Sequence, residues 1–287
     1  MTESVISRFA PSPTGRLHLG HAFSAIMAHD LARSRGGAFR LRIEDIDRTR
    51  CRLEYIDGIY EDLHWLGIAW DGEPVLQSER LPLYGAALDR LKEARLVYPC
   101  FCTRRQIVTE IAASISAPHG PDGPLYPGTC RHLMEKDRAQ RLAQGEAHAW
   151  RLDVAKAMAR ASALEWHDAL SGKLAATPEI HGDVILARKD APTSYHLAVV
   201  VDDAAQGVTD IVRGEDLFAA THIHRLLQAL LGLPAPRYHH HRLLTDGHGQ
   251  RLAKRQGAPS LQSMREEGMD PDVLKADLRR GNTDTLL

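Results

Sequence analysis

Residues 5–21 read Val-Ile-Ser-Arg-Phe-Ala-Pro-Ser-Pro-Thr-Gly-Arg-Leu-His-Leu-Gly-His, an apolar start followed by two prolines and then two histidines. Its apolar, β-branched start, Val5 to Phe9, predicts a short buried strand. The two prolines and the glycine that follow exclude regular structure before the histidines. Apolar residues then recur at helical spacing and predict a helix over 18–35. The stretch therefore predicts a strand, a tight turn and a helix.

His18 and His21 lie three residues apart at the start of that helix, so both imidazoles project from one face. A helix N-terminus offers free N–H groups and a partial positive charge, which suit a phosphate group. Gly20, between the histidines, lets a flat ligand approach the backbone. The pattern predicts a phosphate site, although two surface histidines at a corner would explain the four residues by themselves.

The composition is typical of a globular protein with 25% charged and 44% hydrophobic residues in 287. The sequence contains neither an apolar run of membrane-spanning length nor a signal-peptide pattern, so we expect a cytoplasmic protein without membrane contact. With 36 basic and 37 acidic residues, the net charge of −1 gives no overall attraction to nucleic acid. Any contact with RNA must use local basic patches, and the candidates are 251–255 and the ends of 131–141 and 275–280.

The alternation of predicted strands and helices indicates an α/β fold with a doubly wound parallel sheet. Phe39 to Ile43 predicts a second strand, followed by helices over 51–66 and 80–96. Scattered Pro, Gly and Cys then interrupt the pattern, so we expect an inserted subdomain. Later strands are predicted at Val184 to Ala187, Tyr195 to Val201, Thr209 to Val212 and Tyr238 to Leu244, and helices over Leu217 to Leu231 and twice within 259–281. The expected divisions are 1–97 and 183–240 for the two halves of the sheet domain, 98–182 for the insertion and 241–287 for a loop and helical tail.

Arg8 lies within the first apolar strand and needs a carboxylate, because burying an unpaired guanidinium costs several kcal/mol or more, to order of magnitude. Glu44 and Asp45, at the carboxyl end of the second strand, are the candidates, and an internal ion pair is the simplest prediction. Ligands gather at this edge of doubly wound sheets. Glu44 is therefore also a candidate for binding an ammonium group.

Three clustered cysteines, Cys100, Cys102 and Cys130, predict a metal site. Thiolates two residues apart on an extended segment can share one ion, and zinc prefers four ligands in a tetrahedron. The fourth position is open to Tyr126, His119 or His132. Chemistry alone favours a histidine, since phenolate is a rare ligand. The alternative is that the thiols are reduced and packed as small hydrophobic groups.

The motif Arg-Phe-Ala-Pro-Ser-Pro-Thr-Gly-x-Leu-His-Leu-Gly-His at 8–21 resembles the N-terminal signature of class I glutamyl- and glutaminyl-tRNA synthetases. Arg-Ile-Glu-Asp-Ile-Asp at 42–47, Tyr-His-Leu-Ala at 195–198 and the segment 206–217 are similar to the same family. The resemblance implies a Rossmann-type class I synthetase sheet. It also implies that His18 and His21 contact ATP and stabilise charge on its α-phosphate.

By this resemblance, Arg8, Tyr195 and Arg213 line a pocket for the side-chain carboxylate of L-glutamate, and Glu44 holds its α-ammonium group. Two arginines on one carboxylate would favour glutamate over glutamine, because a neutral amide leaves a charged donor unpaired. The implied glutamate site consists of Arg8, Phe9, Ala10, Pro11, Ser12, Glu44, Tyr195 and Arg213.

Residues 247–256, Gly-His-Gly-Gln-Arg-Leu-Ala-Lys-Arg-Gln, resemble the second class I signature, Lys-Met-Ser-Lys-Ser, less closely. Lys254 keeps an ammonium group suited to pyrophosphate. Arg251 replaces the first lysine and Ala253 the serine, so one hydroxyl is lost. An exposed basic loop is the alternative. The implied catalytic residues are His18, His21 and Lys254, and the implied ATP site consists of His18, Gly20, His21, Arg251, Leu252, Ala253, Lys254 and Arg255.

Two features resemble the shorter glutamyl-queuosine tRNA(Asp) synthetase family. Only 33 residues follow Lys254, where full-length glutamyl enzymes continue through an anticodon-binding domain, and Val199 stands where those enzymes carry Asn. The spacing Cys-x-Cys…Tyr-x-x-x-Cys is similar to that family's zinc site, which implies Cys100, Cys102, Tyr126 and Cys130 as ligands.

That family activates L-glutamate with ATP and magnesium without tRNA, then transfers it to the cyclopentene-diol of queuosine at the wobble position of tRNA(Asp). The resemblance therefore implies a monomer with one structural Zn²⁺, a sheet split by the zinc-containing insertion, and a short helical tail. A glutamyl-tRNA synthetase that aminoacylates the 3′ end without an anticodon-binding domain would share most of these features. A nucleotidyltransferase with a small acceptor, or a non-catalytic RNA-binding module, would share the sheet alone.

Overall fold

The computed structural model describes residues 4–113, 119–121, 123–245 and 259–280. The helices in this part of the chain are α1 (Leu19–Ser34), α2 (Leu53–Trp65), α3 (Leu81–Glu93), α4 (Arg104–Ala113), α5 (Glu135–Ala143), α6 (Val154–Arg160), α7 (Tyr195–Ala205), α8 (Ala220–Leu231), α9 (Leu261–Glu266) and α10 (Pro271–Arg280). The strands are β1 (Ile6–Phe9), β2 (Ala38–Ile43), β3 (Val75–Leu76), β4 (Val97–Cys100), β5 (His119–Gly120), β6 (Gly123–Pro124), β7 (Ala149–Leu152), β8 (Glu165–Asp168), β9 (Gly172–Ala175), β10 (Ile185–Ala187), β11 (Asp210–Gly214) and β12 (Arg237–His241).

Parallel strands form the centre of the fold. β1 pairs with β2, β2 with β3, and β11 with β12, all in parallel. The two groups meet at β1 and β11, where the Thr209 amide donates a hydrogen bond to the Ile6 carbonyl at 2.9 Å. β8 joins β12 in parallel, and β9 joins β8 antiparallel. The predicted α/β fold with a parallel sheet is confirmed.

Helix α1 covers the junction between the two strand groups. Its buried residues, which include Leu19, Ala22 and Ile26, pack against β1, β2 and β11. It ends just before Gly36, whose φ of 62° lies in the left-handed region that glycine adopts without a Cβ clash. The helix expected over 18–35 is confirmed, and it sets its first turn beside the carboxyl ends of the central strands.

Two segments that the sequence assigns to strands of the parallel sheet, 184–187 and 195–201, do not belong to it. Residues 184–187 contain the strand β10, but β10 pairs antiparallel with β7, and β7 with β4, in a separate sheet. The strand expected over 195–201 is wrong, because this segment is helix α7. Leu197, Ala198, Val199 and Val200 are all buried, and α7 packs against α3 and α8. A helix covered on several sides has no amphipathic period, so its apolar run resembles that of a buried strand.

Helices α9 and α10 pack against the outer helices of the sheet domain. α9 contacts α2, where Arg265 bonds Glu61 at 2.8 Å, and α10 contacts α1, where Arg279 bonds Asp30 at 2.7 Å. Among the described helices, none has the length and apolar character needed to cross a membrane.

Candidate active site

A cavity of about 480 Å³ opens at the carboxyl ends of β1 and β11, beside the first turn of α1. The structure brings every described residue of the predicted glutamate and ATP sites into its lining, which includes Arg8, Phe9, Ala10, Pro11, Ser12, His18, Gly20, His21, Glu44, Tyr195 and Arg213. Residues 251–255, with Lys254, lie outside the described residues. The described residues that come before and after this segment lie near the cavity. Leu244 lines it, and Ser260 forms a β-bridge with His18.

His18 and His21 cap helix α1 with their side chains. The Gly20 amide donates to His18 Nδ1 at 3.1 Å, and the His18 amide donates to His21 Nδ1 at 3.3 Å. Because each Nδ1 accepts a hydrogen bond, a neutral ring carries its proton on Nε2. The ring centroids are 3.9 Å apart. The two imidazoles are thus fixed in the tautomer that makes Nε2 a donor.

Gly20 also makes room for this capping arrangement. A Cβ at position 20 would lie 3.0 Å from Cε1 and 3.2 Å from Nδ1 of His18. A larger residue would therefore push the His18 ring off the helix N-terminus. Sequence reasoning assigned Gly20 only to the approach of a ligand, and the packing against His18 is a second reason for glycine here.

Arg8 pairs with Asp203 rather than with Glu44 or Asp45, so the predicted internal pair had the wrong partner. The Arg8 Nε lies 3.0 Å from Asp203 Oδ1. Asp45 instead accepts hydrogen bonds from the amide and hydroxyl of Ser78. Asp203 lies near the end of helix α7, where the sequence predicted the end of a strand, and it contacts both Arg8 and Arg42.

Arg42 is the centre of a buried ion network that sequence reasoning did not single out. It is fully buried and contacts Asp203 at 2.7 Å, Glu44 at 3.2 Å and Asp202 at 3.9 Å. Burial alone would lower the pKa of Arg42, but these three carboxylates raise it instead. Burial raises the pKa of Glu44, and the neighbouring guanidinium of Arg42 opposes that rise. Arg42 is the first residue of the 42–47 motif. The alternating pattern of β2 does not predict which carboxylates contact it.

Arg213 is equally buried, yet its donors meet only neutral groups among the described residues. Its Nε lies 3.1 Å from His240 Nε2, and its Nη1 lies 3.2 Å from His224 Nδ1 and 3.4 Å from the Tyr195 hydroxyl. Its Nη2 donates to the Thr221 hydroxyl.

Both histidines beside Arg213 stay neutral. Burial, followed by the charge of Arg213, lowers the pKa of His240 to about 4 and that of His224 well below its usual value. Arg213 is therefore a buried cation at the cavity wall without a carboxylate partner in the described part of the chain.

Asp168, a buried carboxylate, is linked to Arg213 only through the imidazole of His240. Because buried charges are unfavourable unless paired, Arg213 is a candidate to contact the carboxylate of a ligand directly.

A second cavity of about 510 Å³ adjoins the first and shares Ser12, Thr14, Glu44 and Tyr195 with it. It lies between the sheet domain and the antiparallel sheet of β4, β7 and β10. Arg151 and Ser194 belong to its lining, and the Nε of Arg151 and the hydroxyl of Ser194 have no hydrogen bond to a described residue. The guanidinium of Arg151 also donates to the Asp183 carbonyl and lies over the ring of Tyr126.

The cysteine cluster forms as predicted and could hold a metal ion. The sulfur atoms of Cys100, Cys102 and Cys130 lie within 4.8 Å of one another. The Tyr126 hydroxyl lies 3.4 Å from the sulfur of Cys100 and 3.5 Å from that of Cys102. Burial opposes ionisation of Cys130, but hydrogen bonds from the Tyr126 hydroxyl and the Phe101 amide lower the pKa of its thiol. His132 is exposed and is not part of the cluster, and the side chain of His119 lies outside the description.

Comparisons with known proteins place this site in a family. The family model of the catalytic domain of class I tRNA synthetases (E and Q) matches residues 4–285. The glutamyl-Q tRNA(Asp) synthetase of Rhodobacter capsulatus is 53% identical over 283 residues, which are 96% of this chain and 99% of the relative. Those of Nocardia farcinica and Deinococcus radiodurans are 46% and 45% identical, over 94% and 96% of this chain and 82% and 88% of the relatives.

Two solved structures are also similar. A glutamate tRNA ligase from Elizabethkingia meningosepticum in complex with its amino acid superposes with a TM-score of 0.80 at 27% identity. The glutamate-tRNA synthetase from Elizabethkingia anophelis gives 0.82 at 27% identity. In both comparisons 96% of this chain is covered, and it spans 60% and 61% of the solved chains. The chain therefore belongs to the class I glutamyl- and glutaminyl-tRNA synthetase family and, within this family of ligases, to the glutamyl-Q tRNA(Asp) synthetases.

Proposed function

We propose that this chain activates L-glutamate with ATP, without tRNA, and then transfers the glutamyl group to the cyclopentene-diol of queuosine at the wobble position of tRNA(Asp). The observation that carries the first step is Arg213, a buried cation with only neutral partners at the wall of the main cavity. The acceptor in the second step comes from the names of the relatives, which are 40–53% identical over nearly the whole chain.

Glutamate would supply the carboxylate that Arg213 lacks among its direct contacts. As a zwitterion with an ionised side chain it carries one net negative charge, whereas glutamine carries none. In the proposed pose, Arg213, Arg8 and the Tyr195 hydroxyl hold the side-chain carboxylate, with the backbone turn of 9–12 around it, and Glu44 holds the α-ammonium group. Glutamine would leave Arg213 without a counter-ion, and that penalty supports selectivity.

ATP binds in this proposal, as its magnesium complex, across the first turn of α1. His18 and His21 donate from Nε2 to the α-phosphate, and Gly20 keeps the nucleotide close to the backbone. Lys254, with Arg251, Leu252, Ala253 and Arg255 around it, contacts the pyrophosphate. The α-carboxylate of glutamate attacks the α-phosphorus in line, and pyrophosphate leaves with the bonding electron pair. Positioning and charge stabilisation supply the catalysis, and no side chain becomes a covalent nucleophile.

The second cavity supports the transfer step. It adjoins the proposed glutamate site at Ser12, Glu44 and Tyr195, and its lining includes the polar residues Arg151 and Ser194. A queuosine splayed out of the anticodon loop would enter there. Its cyclopentene hydroxyl would then attack the carbonyl carbon of the mixed anhydride, releasing AMP and leaving an ester.

We propose that Cys100, Cys102, Tyr126 and Cys130 hold one Zn²⁺. Three thiols and a phenol oxygen that converge within hydrogen-bonding distance fit the soft, four-coordinate preference of zinc. The ion would tie β4 to the segment around 126–130 and stiffen the wall of the second cavity, to which Tyr126 belongs. In the proposed division, the insertion of 98–182 carries this ion, 1–97 and 183–240 build the sheet domain, and 241–287 supplies the lysine loop and helical tail.

The acceptor is tested with tRNA(Asp) prepared in matched forms. Queuosine-containing tRNA(Asp) should accept glutamate even after its 3′-terminal adenosine has been removed, and the same tRNA with guanosine at the wobble position should accept none. Nuclease digestion of the charged RNA then locates the glutamate. Charging that disappears on trimming, or that ignores queuosine, would identify a 3′-end aminoacylating enzyme instead.

Metal analysis tests the zinc site. Protein purified without chelator should contain one equivalent of zinc, and less than a tenth of an equivalent would exclude the site. Tyr126→Phe and His132→Ala are a matched pair for the fourth ligand. Zinc retained in Tyr126→Phe but lost in His132→Ala would move that ligand to His132.

A further inference from the structure

A buried carboxylate contacts Arg213 only through an imidazole. Asp168 Oδ2 lies 2.8 Å from His240 Nδ1, and the opposite ring nitrogen, Nε2, lies 3.1 Å from Arg213 Nε. All three side chains are at least 95% buried, and they come from β8, β12 and β11, three adjacent strands. The contacts form one hydrogen-bonded line from Asp168 to the cavity wall.

The direction of every hydrogen bond in this line is determined. Arg213 can only donate, so His240 Nε2 must accept and His240 must carry its proton on Nδ1. The Nδ1–H group then donates a hydrogen bond to the Asp168 carboxylate. The Thr221 hydroxyl, 3.3 Å from His240 Nε2, is consistent with the same tautomer, because its oxygen already accepts from Arg213 Nη2. Asp168 therefore selects the tautomer in which His240 can hold Arg213.

The indirect arrangement matters for the charge of the cavity. A carboxylate in direct contact would neutralise Arg213 and compete with the carboxylate of a ligand. A neutral imidazole fixes the orientation of the guanidinium and keeps Asp168 out of direct contact with it. His224 acts in the same way on Nη1, and its other nitrogen lies 3.2 Å from His196 Nδ1. Arg213 is thus held by two uncharged acceptors on different elements.

We propose that Asp168 and His240 are positioning residues that hold Arg213 in orientation for the carboxylate of glutamate and thereby help to set the preference for glutamate over glutamine. This inference rests on the proposed function of the cavity. It assigns a role in substrate selection to β8, a strand that lies within the predicted insertion and does not line the cavity itself.

Asp168→Asn tests the tautomer together with one backbone contact, because the His240 amide also donates to Asp168 Oδ2 at 3.3 Å. The amides of Leu170 and Ser171 donate to Oδ1 of Asp168, so the asparagine oxygen should stay there and its NH₂ group should face His240. His240 would then protonate Nε2 and oppose the Arg213 Nε–H, donor against donor. In glutamate-dependent pyrophosphate exchange we expect KM for glutamate to rise at least tenfold, while KM for ATP changes less than twofold.

Two substitutions of His240 separate positioning from packing. Glutamine can place its amide oxygen near the position of Nε2 and still accept from Arg213, whereas asparagine reaches only the position of Nδ1. We expect His240→Gln to keep KM for glutamate within threefold of the wild type and His240→Asn to raise it at least tenfold. The glutamate-to-glutamine preference should fall in His240→Asn and largely recover in His240→Gln.

His239→Asn is the matched control. His239 lies next to His240 on β12 and also pairs with a buried aspartate, Asp210 on β11, at 2.8 Å. Among the described contacts it has no hydrogen bond to Arg213. Its KM values should equal those of the wild type. Equal losses in His240→Gln and His240→Asn, or equal changes in both substrate KM values, would refute the positioning role. Absence of glutamate-dependent exchange in the wild type would instead refute the proposed function, and calorimetric titration with glutamate alone would then test the Arg213 contact.

Discussion

Arg42 and Arg213 are two buried arginines with opposite surroundings. Arg42, on β2, contacts Asp203, Glu44 and Asp202, and these carboxylates raise the pKa of its guanidinium despite burial. Arg213, on β11, contacts two neutral histidines, a tyrosine and a threonine. The charge of the first arginine is balanced by carboxylates of the protein. The second has no carboxylate in direct contact within the described chain, and we propose glutamate as its partner.

Arg42 and Arg213 differ in the residues that contact them and not in how deeply they are buried. Both side chains are at most 5% exposed, and both lie near the carboxyl edge of the sheet. A charge satisfied internally contributes to stability and is costly to remove, whereas an uncompensated charge costs stability and is retained for binding. Substitution of Arg42 should therefore mainly lower the free energy of unfolding, and substitution of Arg213 should mainly weaken glutamate binding.

Arg42→Met should cause the largest loss of stability. The substitution leaves three buried carboxylates without their common cation, which typically costs on the order of 3–5 kcal/mol. Arg213→Met, the matched control, should destabilise the protein less, because removal of a charge with no carboxylate in direct contact offsets part of the cost of unpairing its neutral acceptors. Urea unfolding of both variants without substrates measures this difference. Equal destabilisation of the two would contradict the distinction drawn here.

Arg213→Met should have the larger effect on glutamate. Loss of a buried charged hydrogen bond to a carboxylate costs on the order of 3 kcal/mol or slightly more, which is a few hundredfold in affinity. KM for ATP should change little. Pyrophosphate exchange at varied glutamate and ATP measures both values. A variant that unfolds, while its folded fraction keeps wild-type affinity for glutamate, would make Arg213 structural.

The sequence predicted the local structure around the cavity where that structure depends on a short motif. The strand, turn and helix of 5–35 follow from β-branched residues, prolines and helical spacing, and His18, Gly20 and His21 lie where that pattern puts them. The cysteine cluster follows from spacing in the same way. Each of these features depends on residues that are close in the chain or on one distinctive residue type.

The partners of the arginines could not be predicted, because they depend on packing between distant segments. Asp203 reaches Arg8 and Arg42 from the end of helix α7, and a helix buried by α3 and α8 has the apolar run of a strand. Asp168 and His240 are 72 residues apart and meet only through the pairing of β8 with β12. Single-sequence patterns contain no information on such register.

Lys254→Ala extends the comparison to a cation that the resemblance assigns to ATP rather than to glutamate. Loss of an ammonium contact to pyrophosphate in the transition state should lower the rate of adenylate formation roughly a hundredfold, on the order of 3 kcal/mol. KM for glutamate should stay unchanged, in contrast to Arg213→Met. Exchange rates at saturating ATP provide the measurement. A rate within twofold of the wild type would remove Lys254 from the mechanism.

Asp62 is a buried carboxylate with no hydrogen bond to a described residue, and its substitution should have the smallest effect on stability among these predictions. It is fully buried on α2, and Arg265 lies 3.9 Å away. Burial raises the pKa of Asp62 from 3.8 to about 6, against the opposing charges of Arg265 and Arg16. Because the folded state holds this proton more tightly, the stabilisation is complete below pH 4 and is lost as the pH rises through 6.

Asp62→Asn should abolish that loss, which amounts to at most roughly 3 kcal/mol for a shift of this size. His240, whose folded pKa of about 4 lies below its ordinary value, contributes the opposite slope between pH 4 and 6.5. It is present in both proteins and cancels in their difference. Urea midpoints from pH 4 to 7.5 should therefore fall for the wild type relative to Asp62→Asn. Asp57→Asn, an exposed position on the same helix, should follow the wild type. Parallel curves for all three proteins would show that the Asp62 carboxyl titrates alike in the folded and unfolded states, which would contradict the burial effect and leave Arg213 without an anionic counterpart in this comparison.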